Sequence, residues 1–301
     1  MKDIIIIGAG PAGLTAAIYA LRAGRSVLLL EAKAYGGQIV NTPEIENYPG
    51  LKTVSGFEFA QTLYEQAMAF GAELVYETAC GIEDKDGRKI VRTTAGHEYE
   101  AGAVILATGA RNRPMGLERE EALTGHGVSY CATCDGMFFR KKEVAVYGGG
   151  DTALEDAFFL SNYCSRVYVI HRRDAFRGSM KNLEKLKSRD NVEFVLNANV
   201  TSLIGETKLE AVEVTDTKDG SKRVIPVAGL FVAIGQVPDN GAFAGSVSLD
   251  ERGYIEAGED CRTGAEGIYT AGDCRTKDVR QLTTAAADGA VAALAAAAGL
   301  E

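Results

Sequence analysis

The N-terminal segment carries two short apolar runs, and the stretch between them has a helical pattern of apolar and polar positions. The β-branched run Ile4–Ile7 predicts a buried strand, and Ser26–Leu30 predicts a second one. The stretch Leu14–Ala23 between them predicts a helix. The order strand, helix, strand is typical of half a nucleotide-binding fold with a parallel sheet.

The same order returns in the middle of the chain. Glu143–Tyr147 predicts a strand, Leu154–Leu160 a helix and Arg166–Ile170 another strand. We therefore predict an α/β protein with two Rossmann-like, three-layer ββα-type nucleotide-binding domains. The repetition is one of domain plan, since the sequence has no solenoid repeat.

A glycine motif joins the first predicted strand to its helix. It reads Gly8-Ala9-Gly10-Pro11-Ala12-Gly13, and Glu31 follows the second strand about 20 residues on. Gly8 permits a tight turn, Gly10 lets the backbone approach a pyrophosphate, and Gly13 lets helix and strand pack closely. The helix N-terminus attracts phosphates, and Glu31 can accept hydrogen bonds from ribose hydroxyls. A purely structural glycine turn is the alternative, and the flanking parts disfavour it.

The second motif, Gly148-Gly149-Gly150-Asp151-Thr152-Ala153, is a G-x-G-x-x-A variant of the first. At its strand end, where the first motif has its acid, stand His171, Arg172, Arg173 and Arg177. Arginines bind a 2′-phosphate through bidentate, charge-assisted hydrogen bonds, whereas an acid repels it. The second domain is therefore predicted to bind NADPH and the first to bind FAD. A solvated basic strand end is the alternative for the arginines.

Further small residues follow two other predicted strands. Ala103–Leu106 leads into Thr108 and Gly109, which suit the close approach of a flat ligand. Gly267–Ala271 leads into Gly272-Asp273, where Asp273 is placed to bond a ribityl hydroxyl. These segments complete the predicted FAD domain.

An alanine-rich helix, Ala285–Ala298, follows Arg280-Gln281-Leu282 near the C-terminus, and its N-terminal dipole could point at the flavin. Simple packing is the alternative, because alanine is the best helix former. We predict a discontinuous FAD domain of residues 1–113 and 243–301, with the NADPH domain, residues 114–242, inserted in it. Turn-rich polar segments at 113–114 and 238–241 are the predicted connectors.

A C-x-x-C motif followed by an acid, Cys131-Ala132-Thr133-Cys134-Asp135, precedes the second glycine motif. It could be half a zinc site, two thiols packed by chance, or a redox pair. The remaining cysteines stand singly: Cys80, Cys164, Cys261 and Cys274. Because zinc would need a second pair of ligands, we predict no metal site and favour the redox pair. Asp135 could shuttle a proton to a leaving thiolate, or it could cap a helix.

Composition narrows the possible partners. The chain of 301 residues has a net charge of −9, which argues against nucleic acid. No apolar stretch approaches the roughly 20 residues of a membrane helix, and the N-terminal apolar run does not have the form of a signal peptide. We expect a cytoplasmic protein in which any disulfide is catalytic.

The chain as a whole resembles the bacterial low-molecular-weight thioredoxin reductases. The cysteine segment and His171-Arg172-Arg173 are the specific points of likeness, since glycine motifs occur in many flavoproteins. The other matching stretches are Gly8–Gly13, Gly36-Gly37-Gln38, Ala107-Thr108-Gly109, Gly148–Ala153, Gly272-Asp273 and Arg280–Thr283. Small departures are Tyr147 in place of an apolar aliphatic residue, and Thr152 and Asp156 in place of Ser and Glu.

This resemblance implies a homodimer with tightly but non-covalently bound FAD, and thioredoxin as the protein substrate. NADPH would pass a hydride to the flavin, which reduces the Cys131–Cys134 disulfide. Cys134 would lie nearer the flavin, Cys131 would attack thioredoxin, and Asp135 would act as acid and base. Because the cysteines and the NADPH motif share one inserted domain, we expect that domain to rotate about its connectors.

The motifs and the resemblance together give a set of candidate cofactor-binding residues. For FAD they are Gly8, Gly10, Pro11, Ala12, Gly13, Glu31, Gly37, Gln38, Asn47, Thr108, Gly109, Gly272, Asp273, Arg280, Gln281 and Leu282. For NADPH they are Gly148, Gly150, Asp151, Thr152, His171, Arg172, Arg173 and Arg177.

Three alternatives to a thioredoxin reductase remain open at this point. One is a related flavoenzyme with another disulfide substrate, although a peroxiredoxin-linked form would carry an extra N-terminal region and a ferredoxin-fed form would not need the arginines. A redox sensor without turnover and a zinc-binding module are the others.

Overall fold

The computed structural model describes residues 1–42 and 44–300. Its strands and helices follow in this order: β1 (Lys2–Ile7), α1 (Pro11–Arg22), β2 (Val27–Leu30), α2 (Gly56–Ala69), β3 (Glu73–Val75), β4 (Ala79–Lys85), β5 (Arg88–Thr93), β6 (Glu98–Leu106), β7 (Ala110–Asn112), α3 (Glu120–Leu123), β8 (Val128–Ser129), α4 (Ala132–Asp135), β9 (Glu143–Gly148), α5 (Asp151–Ser161), β10 (Arg166–His171), α6 (Met180–Lys187), β11 (Val192–Leu196), β12 (Ala198–Ile204), β13 (Ala211–Asp216), β14 (Lys222–Pro226), β15 (Gly229–Ala233), β16 (Gln236–Pro238), β17 (Ile268–Thr270) and α7 (Leu282–Ala298).

The chain divides into two compact units. Unit 1 consists of Met1–Arg111 and the chain from Val237 onward, and unit 2 is Asn112–Gln236. The junctions therefore come slightly before the predicted boundaries, which follow residues 113 and 242. Glu301, the last residue of the predicted FAD domain, lies outside the described residues.

Pairing between the two connecting segments sets the junctions. The backbone N–H of Arg113 donates to the carbonyl of Gly235 over 3.0 Å. The side-chain amide of Gln236 donates to the Asn112 side chain, also over 3.0 Å. The chain thus enters and leaves unit 2 at neighbouring backbone positions, before it reaches the turn-rich residues 238–241.

A seven-stranded sheet forms the centre of unit 1, in the order β3-β2-β1-β6-β5-β4, with β17 beside β6. The strands β3, β2, β1, β6 and β17 are parallel, while β4, β5 and the start of β6 form an antiparallel meander. Ile4 and Ile6 of β1 enter the core that holds α1 and α7, whereas Ile5 and Ile7 enter the core of the opposite face. Both faces of β1 are therefore buried, as the continuous isoleucine run predicts.

Unit 2 has three layers. Its parallel sheet has the order β11-β10-β9-β15-β8, and a separate antiparallel sheet has the order β12-β13-β14. One core packs α5 and α6 on the parallel sheet through Leu154, Leu160 and Leu186. The other core lies between the two sheets and includes Val212 and Leu230. The predicted fold class, with nucleotide-binding units of this layered type, is confirmed.

Both helices that follow the glycine motifs begin earlier than predicted. Helix α1 starts at Pro11 and α5 at Asp151, each directly after a glycine N-cap. The two caps, Gly10 and Gly150, have the same extended backbone with ψ of −175°. Their helices therefore begin inside the motif, where free N–H groups can meet a phosphate.

Candidate active site

The first glycine loop is shaped by two close backbone approaches. Gly8 has a φ of +105°, and a Cβ on it would lie 2.3 Å from the carbonyl oxygen of Ala107. A Cβ on Gly13 would lie 1.9 Å from the carbonyl oxygen of Gly8. A Cβ on Gly10 would meet only the Cα of Gly37, at 3.8 Å. The first and third glycines are therefore required by the fold, while the middle one leaves open space beside the start of α1.

Glu31 joins this loop to the segment after β2 through its two carboxylate oxygens. Oε2 accepts a hydrogen bond from the backbone N–H of Ala9 over 2.8 Å. Oε1 accepts one from the backbone N–H of Lys33 over 2.9 Å. Because each carboxylate oxygen has further acceptor capacity, Glu31 can also receive hydroxyl groups from a ribose.

Asp273 follows the end of β17 in unit 1. Its Oδ1 is buried and has no hydrogen-bond partner in the described protein. Burial raises the pKa of the Asp273 carboxyl, and the cations Lys277 and Arg280 only partly oppose this. A buried carboxyl oxygen without a donor is costly unless a ligand supplies one. The residue therefore fits the predicted role of accepting a ribityl hydroxyl of FAD.

Arg280 is engaged with the protein itself. Its guanidinium donates to the carbonyl oxygens of Lys277 at 3.0 Å and Arg275 at 3.1 Å, and to that of Asp273 at 3.3 Å. It also lies over the ring of Tyr254, 4.1 Å from the centroid. In unit 1 this side chain therefore fastens the loop between β17 and α7.

The remaining candidate FAD residues lie in loops and at helix starts. The Gln38 amide donates to the carbonyl of Ala110, and Thr108 donates to Asn240 over 2.7 Å. Asn47 donates to Gln281 over a long 3.4 Å. Backbone positions with positive φ are Gly37 and Gly109, and Pro11, Ala12 and Leu282 lie in the first turns of α1 and α7.

A buried carboxylate that the sequence analysis missed holds the residues on either side of Asp273. Asp288 of α7 accepts from the backbone N–H of Gly272 at 3.0 Å, from Arg275 Nε at 2.9 Å and from Lys277 Nζ at 2.8 Å. Burial alone would raise the pKa of Asp288, but hydrogen bonds from Arg275 and Lys277 lower it below its ordinary value. An acid in the middle of an otherwise alanine-rich helix was the signal that could have revealed it.

The second glycine loop repeats the first with one difference. A Cβ on Gly148 would lie 2.3 Å from the carbonyl oxygen of Ala233, and a Cβ on Gly150 would meet no protein atom within 4 Å. The imidazole of His171 occupies the space over Gly149, where a Cβ would lie 2.1 Å from the ring. Position 149 therefore needs glycine because the His171 ring, and not the backbone of a neighbouring strand, leaves no room for a side chain.

His171 is buried under the loop rather than exposed at its edge. Its Nε2 lies 3.1 Å from the carbonyl oxygen of Ala175, and its ring stacks on Phe176 with centroids 5.1 Å apart. Burial lowers the pKa of His171, and the adjacent arginines act in the same direction. The side chain shapes the loop beneath the expected nucleotide.

Arg172, Arg173 and Arg177 are exposed around the same loop. Within residues 1–42 and 44–300, none of their guanidinium groups makes a hydrogen bond or a salt bridge. The backbone N–H of Arg177 donates to the carbonyl of Gly149 over 2.8 Å, which fixes this basic segment beside the helix start. Asp151 accepts the backbone N–H of Ser179 over 2.6 Å, and Thr152 is exposed. The three cations are thus free to meet a phosphate.

Cys131 and Cys134 form a disulfide in unit 2, with Cα atoms 5.3 Å apart. Cys131 is the N-cap of the short helix α4 and Cys134 lies within it, and the Cys131 sulfur lies 3.4 Å from the Thr133 hydroxyl. The other cysteines in the described residues are free thiols. Burial raises the pKa of Cys164 to about 11 and that of Cys261 to about 12, so both are poor nucleophiles.

Asp135 is the last residue of α4 and the N-cap residue of the 3-10 helix Gly136–Phe139, but its side chain makes no capping hydrogen bond. Its Oδ2 accepts a hydrogen bond from Ser129 over 2.7 Å, while its Oδ1 is buried without a partner. Burial raises the pKa of Asp135, and the Ser129 hydrogen bond offsets this only in part. A carboxyl that stays protonated to a higher pH suits proton donation to a thiolate.

A second missed carboxylate supports the segment before the disulfide. Glu120 is buried and accepts the phenol O–H of Tyr130, the residue before Cys131. It also accepts backbone N–H groups from Met115 at 2.8 Å and Gly116 at 2.8 Å. Glu120 thus links the redox segment to the chain that enters unit 2.

The part of the chain that the structure describes has neither a metal cluster nor a helix that could span a membrane. No cluster of three or more metal-ligating side chains occurs in residues 1–42 and 44–300. Over the same residues, every helix is too short or too polar to cross a bilayer.

Comparison with known proteins shows which family the chain belongs to. A model of the family described as pyridine nucleotide-disulphide oxidoreductase matches residues 2–289. The thioredoxin reductase of Listeria innocua is 44% identical over 96% of this chain and 91% of its own length. That of Treponema pallidum is 45% identical over 98% of this chain and 96% of its own length.

Solved structures agree in fold. The thioredoxin reductase from Streptococcus pyogenes has a TM-score of 0.93 at 40% identity and covers 100% of this chain and 98% of its own. That from Giardia duodenalis also has a TM-score of 0.93, at 34% identity, and covers 99% of this chain and 98% of its own.

Proposed function

Because the chain belongs to the pyridine nucleotide-disulphide oxidoreductase family, we propose that it is a thioredoxin-disulfide reductase that uses NADPH and FAD. The observation that carries this function is the Cys131–Cys134 disulfide followed by a buried carboxyl, in a chain with two dinucleotide loops. The redox interpretation of the cysteine motif accounts for all three features together.

We propose that FAD is held by unit 1. The start of α1 would face its pyrophosphate, Glu31 would accept its ribose hydroxyls and Asp273 a ribityl hydroxyl. When bound, FAD supplies the two-electron relay between NADPH and the disulfide. The Asp288 network would keep Gly272 and Asp273 in place, and Arg280 would fasten the same loop.

NADPH would bind to unit 2 through the open side of Gly150 and the start of α5. Arg172, Arg173 and Arg177 would meet its 2′-phosphate, which explains why they have no acidic partner within the described residues. We assign a supporting role to His171, because its ring lies under Gly149 and shapes the loop.

The reaction at sulfur needs two electrons and two protons. In the reduced enzyme, the Cys131 thiolate would attack the thioredoxin disulfide, forming a mixed disulfide and releasing one thioredoxin thiolate. Cys134 would then attack Cys131, which restores the Cys131–Cys134 bond and releases the second thiolate. Asp135, whose pKa is raised by burial, would donate a proton to a departing thiolate.

We further propose a cytoplasmic homodimer whose inserted unit rotates during turnover. The free thiols Cys164, Cys261 and Cys274 suit a reducing compartment. Exposed Val291 and Leu294 on α7 offer apolar surface to a second copy. Locking the paired connectors with an engineered crosslink should stop turnover while FAD and NADPH still bind, and persistent turnover would contradict the rotation.

The decisive experiment measures electron transfer from NADPH to oxidised thioredoxin. Purified protein should be yellow, and NADPH should be consumed when oxidised thioredoxin is added. In Cys134→Ser, flavin should remain bound while thioredoxin reduction is lost. A colourless preparation, or a wild-type disulfide that stays oxidised under anaerobic NADPH, would contradict the proposed function.

A further inference from the structure

Three tyrosines cluster at one edge of unit 1, beside Glu31. The rings of Tyr35 and Tyr64 stack almost in parallel, with centroids 4.1 Å apart and planes 9° apart. Tyr76 directly follows β3, and its side chain is 55% exposed. So large an exposed aromatic next to a second aromatic pair is an unusual surface for packing alone.

Strand register places Tyr76 next to the acid. Leu30 pairs with Val75, and the backbone N–H of Glu31 donates to the carbonyl of Val75 over 3.0 Å. Tyr76 therefore stands beside Glu31 at the carboxyl ends of two adjacent parallel strands. Burial raises the pKa of Tyr76, and electrostatic interactions with Tyr64, Tyr35 and Glu31 act in the same direction, which agrees with this proximity.

The loop that carries Tyr35 also contacts the first glycine loop. The backbone N–H of Gly36 donates to the carbonyl of Ala9 over 2.7 Å. A Cβ on Gly37 would lie 3.2 Å from the Cα of Gly10. The tyrosines and the glycine loop thus border one continuous site within unit 1.

The order of chemical groups in a dinucleotide fixes what must lie at this edge. The pyrophosphate faces the glycine loop and the ribose faces the acid at the end of the second strand. The base attached to that ribose must then lie beyond Glu31, where the tyrosines stand. Aromatic side chains stack on the flat face of any base.

We infer that Tyr76, backed by the Tyr35–Tyr64 stack, forms the aromatic wall that binds the adenine of FAD in this chain. The inference rests on the proposed placement of FAD in unit 1. It adds a source of selectivity, because FMN carries the same flavin and ribityl phosphate but has no adenine to stack.

The test compares two flavins on flavin-free protein. FAD and FMN are titrated into wild type, Tyr76→Ala and Tyr76→Phe, and each Kd is read from the change in flavin absorbance or emission. We expect Tyr76→Ala to weaken FAD binding roughly tenfold, since stacking on one aromatic is of that order. FMN binding should not change, and Tyr76→Phe should bind FAD like wild type because the ring remains.

Tyr19→Ala is the matched control, since Tyr19 is also exposed but lies in the last turn of α1. It should leave both affinities unchanged. Equal loss of FAD and FMN affinity in Tyr76→Ala, or no loss of FAD affinity, would overturn the adenine wall while the cofactor assignment stands. A wild-type protein that binds neither flavin would instead remove the proposed function and this inference together.

Discussion

The two glycine loops are built on one backbone plan but are completed by different side chains. The first glycine of each, Gly8 or Gly148, would place a Cβ 2.3 Å from a carbonyl oxygen of a neighbouring strand end. The middle glycine of each caps a helix in the same extended conformation. The shared geometry therefore comes from the phosphate-binding turn and holds for either nucleotide.

The strand-end residue makes the difference. In unit 1, Glu31 accepts the N–H of Ala9 and so tolerates a side chain at that position. In unit 2, the ring of His171 fills the corresponding space and excludes any side chain at Gly149. The arginines that follow the histidine, Arg172, Arg173 and Arg177, are exposed. The residue at the strand end thus determines whether the loop residue that faces it can carry a side chain.

Removing the three arginines of unit 2 should have the largest effect on the difference between the two nucleotide sites. We expect Arg172→Ala, Arg173→Ala and Arg177→Ala combined to raise the KM for NADPH on the order of 100-fold, because charge-assisted hydrogen bonds to the 2′-phosphate are lost. The KM for NADH, which has no such phosphate, should change little. Steady-state kinetics with both coenzymes measures this, and an equal effect on NADH would show that the arginines do not read the phosphate.

Exchanging loop glycines for alanine should separate stability from binding. Gly149→Ala should lower the free energy of unfolding by about 1–3 kcal/mol, since its Cβ meets the His171 ring. Adding His171→Ala should recover most of that loss. Gly150→Ala is the matched control: it should unfold like wild type yet bind NADPH more weakly. Urea unfolding and NADPH titration test this. Equal stability of Gly149→Ala and Gly150→Ala would contradict the proposal that the His171 ring excludes a side chain at Gly149.

Weakening the acid should affect unit 1 alone. Glu31→Gln keeps one acceptor oxygen of the two that hold Ala9 and Lys33, so FAD affinity should fall by about 5- to 10-fold. NADPH binding should not change, because the affected loop belongs to the other motif. Flavin titration of the variant provides the measurement. A larger loss for NADPH than for FAD would reverse the assignment of the two loops.

Titration of His171 and of Asp273 should change stability with pH in opposite directions. These are the smallest effects that we expect. The lowered pKa of His171 means that the unfolded chain takes up its proton first, so stability falls as pH drops below about 6.5. The raised pKa of Asp273 favours the protonated folded state, so its contribution is lost as pH rises above about 4. Thermal unfolding of His171→Gln and Asp273→Asn across pH checks each sign, since each variant should lack one slope.

Local sequence patterns predicted the parts of the fold that depend on neighbours along the chain. The spacing of Gly8, Gly10 and Gly13 predicted the turn, the open position and the close packing that the structure has. Helix starts were misplaced because the motif glycines themselves are the caps. The sheet β12–β14 was not predicted, since its short strands lack a glycine motif to mark them.

The missed residues act between separate elements of the structure. Asp288 meets Gly272 and Arg275, and Glu120 meets Tyr130, only after a helix packs against a loop or a neighbouring segment. Ser129 fixes Asp135 from a two-residue strand that no periodicity reveals. His171 was predicted as part of a nucleotide-binding surface, but its burial under Gly149 depends on how two strands and a loop close around it. Such roles need coordinates, because spacing carries no information on which distant side chains will meet.

The paired connectors allow unit 2 to be removed as one piece. Its first and last residues share hydrogen bonds, so a linker of a few residues could join the two parts of unit 1 after unit 2 is deleted. A gene lacking unit 2 would still encode every strand of the seven-stranded sheet. A foreign module joined at the same two residues would have to supply both a nicotinamide site and an electron acceptor, because both leave the chain with unit 2.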